Sequence, residues 1–179
     1  NAGLLPKLRV DAWEILSLRP LKSPLSQLMS VLSPPSDEVS RAQQIADLNN
    51  AADIFRKGQV TIAQLIEDIL AENEASERVL IFVDQWDELY SQAPRDGSPE
   101  EIKQFEADRA LFIDSLLEAT TQSPCTLVFT VRADYYDQVL LHAGLSSHVG
   151  QHGLNLGPIS DEAIRDCIVK PAGNAGYEF

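Results

Sequence analysis

The sequence predicts an α/β fold with a parallel sheet flanked by helices. The uninterrupted apolar run Val79–Val83 is typical of a strand buried on both faces, as in parallel sheets covered by helices, and Cys125–Val131 is a second continuous β-prone run. Trp13–Leu18 is a third β-prone run. Helical patterns lie between these runs, and this alternation indicates right-handed crossover connections. A chain of 179 residues suits one domain with a sizeable core.

The first four helices are predicted from their caps and apolar spacing. Asn1–Leu8 reads as the end of a helix, and Pro24–Leu32 as a short helix that begins on proline. Ser36 is expected to cap a helix that extends to Lys57. Thr61–Leu70 forms a fourth helix with an apolar stripe. We expect the last two to cover one face of the sheet.

The second half of the chain continues this alternation. Ser98 caps a long helix that leads up to the second β-prone run. A helix over Tyr135–Ala143 is expected to end at the following glycine, and Leu154–Leu156 is expected to form a last short strand. Ser160 caps a closing helix, which Pro171 is expected to interrupt.

Composition and charge restrict the classes of partner. The formal net charge is −13, and no basic stripe is available to meet phosphates. We therefore expect neither general nucleic-acid binding nor adsorption to a membrane surface. No apolar run approaches the roughly 20 residues of a transmembrane helix. Cys125 and Cys167 lack metal-ligand spacing, so reduced thiols in a cytoplasmic protein are expected.

The turn after the first apolar run carries the clearest chemistry. Asp84 ends that run, and Asp87 and Glu88 follow three and four positions later. Ligands of open α/β sheets bind outside the carboxyl ends of the strands. Asp84 is thus placed to hold Mg²⁺, which takes one or two carboxylates and leaves its other positions to water and phosphate. Asp87 or Glu88 is placed to polarise an attacking water. The alternative is a strand ended by a solvated acidic turn.

This turn belongs to a segment that resembles a known family. Residues 79–89 (VLIFVDQWDEL) resemble the Walker B segment of STAND-class P-loop NTPases, the signalling ATPases that include the NACHT group. The Gln-aromatic-acid-Glu form resembles the bacterial "novel STAND" subgroup. Residues 1–6, 13–20 and 130–136 resemble the subgroup's helix after the Walker A loop, its next strand and its sensor strand. Residues 156–160 resemble the start of its helical lid.

The resemblance implies an ATP- and Mg²⁺-dependent protein. It divides the chain into a partial NTPase core at residues 1–156 and the start of a helical lid at residues 157–179. By this resemblance, Arg132 would face the nucleotide as a sensor, and Pro158 would contact the adenine. It also implies a fused effector domain on the N-terminal side, repeat sensors of the WD type on the C-terminal side, and a homo-oligomer on activation.

One feature of that family is missing from the sequence. The phosphate-binding motif G-x-x-x-x-G-K-[ST] does not occur in these 179 residues. By the resemblance it would end a few residues before Asn1. We therefore expect a piece of a longer protein, a P-loop NTPase-type sheet without its first, central strand and Walker A loop. Such a piece is expected to bind ATP poorly and to be poorly stable alone, because two inner sheet edges would be unpaired.

Several single residues have a second interpretation. The alternative for Arg132 is a structural ion pair with one of three aspartates, Asp84, Asp87 or Asp134. Asp134 is otherwise expected to cap the next helix. Pro158 also suits the start of a helix. Arg19 ends another strand, where a surface ion pair is expected although phosphate is a possible partner.

Three functions are compatible with these patterns. The first is a nucleotide-dependent signalling switch that binds Mg·ATP and is reset by slow hydrolysis. The second is a nonenzymatic scaffold or oligomerisation module with a degenerate nucleotide site. The third is a two-metal hydrolase that uses Asp84, Asp87 and Glu88, but it lacks further acids or histidines at the other strand ends.

Overall fold

The computed structural model describes residues 12–36, 38–73 and 75–177. Within these ranges the strands are β1 (Trp13–Leu18), β2 (Arg78–Val83) and β3 (Cys125–Phe129). The α-helices are α1 (Pro24–Leu32), α2 (Arg41–Arg56), α3 (Ile62–Glu72), α4 (Glu88–Ser91), α5 (Pro99–Gln122), α6 (Tyr136–Leu140), α7 (Ala143–His152) and α8 (Asp161–Asn174). A 3-10 turn at Ala133–Tyr135 precedes α6. The helix end predicted at Asn1–Leu8 lies outside the described residues.

The three described strands form one parallel sheet in the order β1-β2-β3. In this sheet Ile81 of β2 lies opposite Leu16 of β1 and Leu127 of β3. The residues from Val79 to Val83 are all buried, as expected for a strand with neighbours on both edges and helices on its faces. The predicted α/β fold with a parallel sheet flanked by helices is confirmed.

Helices α1, α3 and α5 pack against the sheet and against one another. Helix α1 contacts β1, α3 contacts β2 and α5 contacts β3. Their buried apolar side chains form the core: Leu25, Leu28, Met29, Leu32, Ile62, Ile66, Phe105, Phe112, Ile113 and Leu116. Helix α2 packs chiefly against α1, and only Ala52 and Phe55 of its side chains are buried. The expectation that α2 and α3 together cover one sheet face therefore describes α3 better than α2.

Several predicted helix caps are present. The Thr61 hydroxyl accepts a hydrogen bond from the backbone N–H of Gln64, and the Ser98 hydroxyl accepts one from Glu101. Each cap is completed by a return bond from the third residue of the helix, which makes both of them capping boxes. Ser160 caps α8 by a single bond, in which its hydroxyl accepts from the N–H of Ala163. These local signals set the helix starts correctly.

Other predicted boundaries are wrong. Helix α2 begins after Ser40, whose hydroxyl accepts from the N–H of Gln43, and not after Ser36. The helix predicted over Tyr135–Ala143 is divided into α6 and α7, and Gly144 lies in the first turn of α7. A side chain at that glycine would come within 2.7 Å of Leu117 on α5. Gly144 therefore serves close packing between helices and does not terminate one.

The last predicted strand is absent. Leu154–Leu156 forms no strand, and the side chains of Leu154 and Leu156 are 84% and 87% exposed. An apolar segment becomes a strand only when a neighbour supplies the hydrogen-bonded ladder, and the described residues supply none. The described sheet has the continuous order β1-β2-β3, and its free edges belong to β1 and β3. The expected poor stability of the segment alone stays a prediction. Pro171 lies inside α8 and does not end it.

The chain divides into two units between Ser147 and His148. The first unit holds the sheet and helices α1 to α6. The second begins within α7 and contains α8, whose described side chains are all at least partly exposed. The predicted boundary between residues 156 and 157 stays a prediction. Across the described ranges, each helix falls short of the length or the apolar character that crossing a bilayer requires.

Ile81 offers a test of the sheet centre. Its side chain is fully buried, and Ile81→Ala should lower the free energy of unfolding by about 2–5 kcal/mol through lost burial and an unfilled cavity. The matched control Ile45→Ala removes a side chain that is 54% exposed and should cost less than about 0.5 kcal/mol. Urea unfolding followed by circular dichroism measures both. Equal losses would contradict the described core.

Cys125 offers a test by pH. Burial raises the pKa of its thiol from the ordinary 9.0 to about 11. Because the unfolded thiol ionises first, the stability that this group contributes is complete below about pH 9 and is lost as the pH rises towards about 11. A Cys125→Ala variant should therefore lose less stability than the parent over that interval. In native protein at neutral pH, iodoacetamide should label the exposed Cys167 and spare Cys125.

Candidate functional site

An aromatic anchor sets the turn that follows β2. Gln85 adopts a φ of 58°, a left-handed conformation that is uncommon outside glycine. The next residue, Trp86, is fully buried, with its ring centroid 4.4 Å from that of Phe129 and 5.8 Å from that of Phe112. Its backbone N–H donates to the carbonyl of Thr130 at 2.8 Å. The turn is thus held against the end of β3 by a buried aromatic side chain.

Asp84 follows β2 and hydrogen-bonds to residues at the ends of β1 and β3. Its backbone N–H donates to the carbonyl of Leu18 at the end of β1, at 2.9 Å. Its carboxylate Oδ1 accepts from the hydroxyl of Thr130 at 2.7 Å, and that hydroxyl also accepts from the N–H of Gln85 at 2.9 Å. Thr130 orients the carboxylate and was missed as a site residue. The sequence signal that could have identified Thr130 is its hydroxyl near the end of the β-prone run Cys125–Val131.

Asp87 and Glu88 are buried carboxylates, each 4% exposed. Both oxygens of Glu88 have partners: Oε1 accepts from Nη2 of Arg19, and Oε2 accepts from the backbone N–H of Leu21 at 3.1 Å. The same Nη2 donates to Oε1 of Gln85 at 2.8 Å. The hydrogen bond to Glu88 raises the pKa of Arg19. The ion pair expected for Arg19 exists, but its acidic partner is buried.

Asp87 connects the acidic turn to the segment after β3. Its Oδ1 accepts from the backbone N–H of Arg132 at 3.4 Å. The guanidinium of Arg132 turns elsewhere: it donates to Asp134 at 2.7 Å and lies 5.7 Å from the ring centroid of Tyr135. The structural ion pair considered for Arg132 is therefore present. The cap predicted for Asp134 is wrong, because this residue lies inside the 3-10 turn and bonds to Arg132.

The structure brings four of the five predicted site residues together. Asp84, Asp87 and Glu88 share the turn after β2, and Arg132 joins them through its backbone. Pro158 belongs to the second unit, in an exposed segment between α7 and α8. The roles assigned to all five residues stay predictions.

The donor set limits which metals the site suits. The described residues hold no group of three or more histidines, cysteines or acids arranged to bind a metal ion. A protein-only cage or a two-metal centre would need such a group. Mg²⁺ needs only one or two carboxylates when phosphates and waters complete its shell. Asp84, with one oxygen oriented by Thr130, fits that kind of coordination.

Comparison with known families decides the classification. A sequence model of the family described as Novel STAND NTPase 1 matches residues 1–179. The chain belongs to this family. The STAND-class membership that the Walker B-like segment predicted is thereby confirmed for this Novel STAND NTPase 1 chain, and with it an NTPase-type signalling domain. No curated protein and no solved structure matches the chain significantly.

Thr130 allows the geometry to be tested apart from function. Thr130→Val keeps the shape but removes the hydroxyl that bonds Asp84 and Gln85. We expect a loss of about 1 kcal/mol in the free energy of unfolding. Thr126→Val, at an exposed position of β3, should change it by less than about 0.5 kcal/mol. Chemical denaturation measures both, and a neutral Thr130→Val would argue against the Thr130–Asp84 bond.

Proposed function

We propose that this Novel STAND NTPase 1 domain binds and hydrolyses Mg·ATP as the switch of a larger signalling protein. The observation that carries the proposal is the set of three carboxylates, Asp84, Asp87 and Glu88, at the carboxyl end of the middle strand β2. Ligands of open α/β sheets bind at this edge. Phosphoryl transfer demands mainly positioning and neutralisation of charge, which such a set supplies together with a metal and basic groups.

Asp84 is the residue proposed to hold Mg²⁺, directly or through a water. It is only half-buried, in contrast to Asp87 and Glu88. Thr130 keeps Oδ1 oriented, so coordination requires little reorganisation of the side chain. When bound, Mg²⁺ neutralises phosphate charge and polarises the phosphorus that is attacked.

Glu88 or Asp87 is proposed to take the proton of the attacking water. The water oxygen bonds to the terminal phosphorus, the bond from that phosphorus to the leaving diphosphate oxygen breaks, and the water proton passes to the carboxylate. Both carboxylates are buried, and electrostatic interactions are stronger where water is excluded. Asp87 accepts the N–H of Arg132 through Oδ1, and Glu88 accepts from Arg19 and from the N–H of Leu21. An oxygen of either carboxylate that holds such a partner must release it before it can accept the proton.

Arg132 is proposed to contact the terminal phosphate. Its side chain is 66% exposed, and its ion pair with Asp134 lies at the surface. Exposed ion pairs contribute little free energy, so a phosphate group with more charge and more acceptor oxygens competes effectively for the guanidinium. Pro158 is proposed to contact the adenine as part of the lid.

The remaining parts of the proposal concern the larger protein. A phosphate-cradling loop is required for tight binding, and none occurs in these 179 residues. We therefore expect this segment alone to be inactive. We further propose a fused effector domain, a repeat sensor of the WD type and a homo-oligomer on activation, in the cytoplasm.

A nonenzymatic scaffold is the second candidate, and one observation favours it. Both oxygens of Glu88 are bound by Arg19 and the backbone of Leu21, as in a carboxylate that serves structure. In that case the fold would be retained for interaction or oligomerisation, without turnover.

Substitution of the acids in the full-length protein separates the two candidates. Asp84→Asn should abolish the Mg²⁺-dependent gain in ATP affinity, and Glu88→Gln should lower kcat by about 10²–10⁴-fold while ATP still binds. The matched controls Asp68→Asn and Glu106→Gln alter exposed acids on α3 and α5 and should leave both unchanged. Calorimetric titration and phosphate release measure these effects.

If the full-length protein binds no ATP, or if neither variant changes binding or turnover, the switch proposal fails. A protein that oligomerises normally without nucleotide would then support the scaffold.

A further inference from the structure

Glu88, one of the two carboxylates proposed to act on water, is restrained in the described structure. Glu88 is 4% exposed, and neither of its oxygens is free. A general base must have a lone pair directed at the water whose proton it accepts. Glu88 therefore cannot serve that purpose while Arg19 and the N–H of Leu21 both hold it.

Arg19 is placed to leave this carboxylate for another anion. It follows β1, on the sheet edge where Asp84 follows β2. Its side chain is 47% exposed, whereas that of Glu88 is 5% exposed, so one side of the guanidinium faces solvent. Among the described residues it is the basic side chain that hydrogen-bonds to the acidic turn, since the guanidinium of Arg132 is paired with Asp134.

The backbone beside Arg19 holds a strained residue. Leu21 adopts a φ of 51°, in the left-handed region that is strained for leucine. This conformation directs its N–H at Oε2 of Glu88. Strained backbone at a site persists where the surroundings over-determine it and is frequently part of a switch. Release of Glu88 would allow this turn to relax.

We propose that Arg19 is a positioning residue that holds Glu88 closed, and that the terminal phosphate of a bound nucleoside triphosphate opens the site by taking Arg19 for itself. This inference rests on the proposed function. A terminal phosphate offers three acceptor oxygens and more negative charge than a carboxylate, and the planar fork of an arginine matches it. A nucleoside diphosphate lacks that group and leaves Glu88 restrained. The ion pair therefore distinguishes the two nucleotide states.

The competition can be measured by binding, without turnover. The probe is a non-hydrolysable imido analogue of ATP, titrated with Mg²⁺ into the full-length protein and compared with ADP. Glu88→Gln removes the charge that competes for Arg19 and should tighten the analogue about tenfold, within the usual range of coupling between sites. ADP affinity should stay unchanged. In an Arg19→Gln background, analogue binding should be weaker, and Glu88→Gln should add nothing.

Two further variants keep the test decisive. Arg19→Lys retains the charge but not the planar fork, so its preference for the analogue over ADP should lie between those of the parent and Arg19→Gln. Arg95→Gln alters an exposed arginine in the loop before α5 and should leave the preference unchanged. Circular dichroism melts establish which variants are folded.

Each outcome bears on one proposal or the other. If the parent protein binds the analogue, and Glu88→Gln tightens it equally with and without Arg19, the closed Arg19–Glu88 arrangement is overturned while the proposed function stands. Equal effects on the analogue and ADP would also overturn it, because a merely structural pair does not distinguish them. If the parent binds neither nucleotide, the proposed function fails and this inference with it.

Discussion

The burial of Trp86 is the constraint on which the candidate site depends. Its indole is fully buried and packs between Phe129 at the end of β3 and Phe112 on α5, so moving the ring would expose a large apolar surface. The left-handed Gln85 brings the indole into that space and turns the chain at the end of β2. The direction of Asp87 and Glu88 is consequently set by hydrophobic packing.

Once the turn is set, three carboxylates lie together in a chain that is already strongly acidic. Buried charges are tolerated only when they are paired and hydrogen-bonded, and each acid meets this requirement differently. Asp84 accepts a hydrogen bond from a hydroxyl, and Asp87 accepts one from a backbone N–H. Glu88 accepts from a guanidinium and from a backbone N–H. Asp84, the carboxylate proposed to hold Mg²⁺, is only half-buried. Asp87 and Glu88, the carboxylates proposed to act on water, are buried.

The predictions succeeded where local signals agreed with tertiary packing. Continuous apolar runs became strands, and serine or threonine followed three residues later by glutamate or glutamine marked two helix starts, at Thr61 and Ser98. They failed where the outcome depended on a distant neighbour. Leu154–Leu156 pairs with no strand of the described sheet. Gly144 lies close to Leu117 of another helix and does not mark the end of a helix.

The sequence by itself determined the fold class, the acidic turn and the family, because apolar runs, caps and motif spacing are properties of neighbouring residues. Only the tertiary structure decided which groups meet those acids. Arg19 and Glu88 are 69 positions apart, and Thr130 and Asp84 are 46 apart. Their contacts exist because parallel pairing aligns the carboxyl ends of three strands, and strand order and register are not encoded in any local pattern.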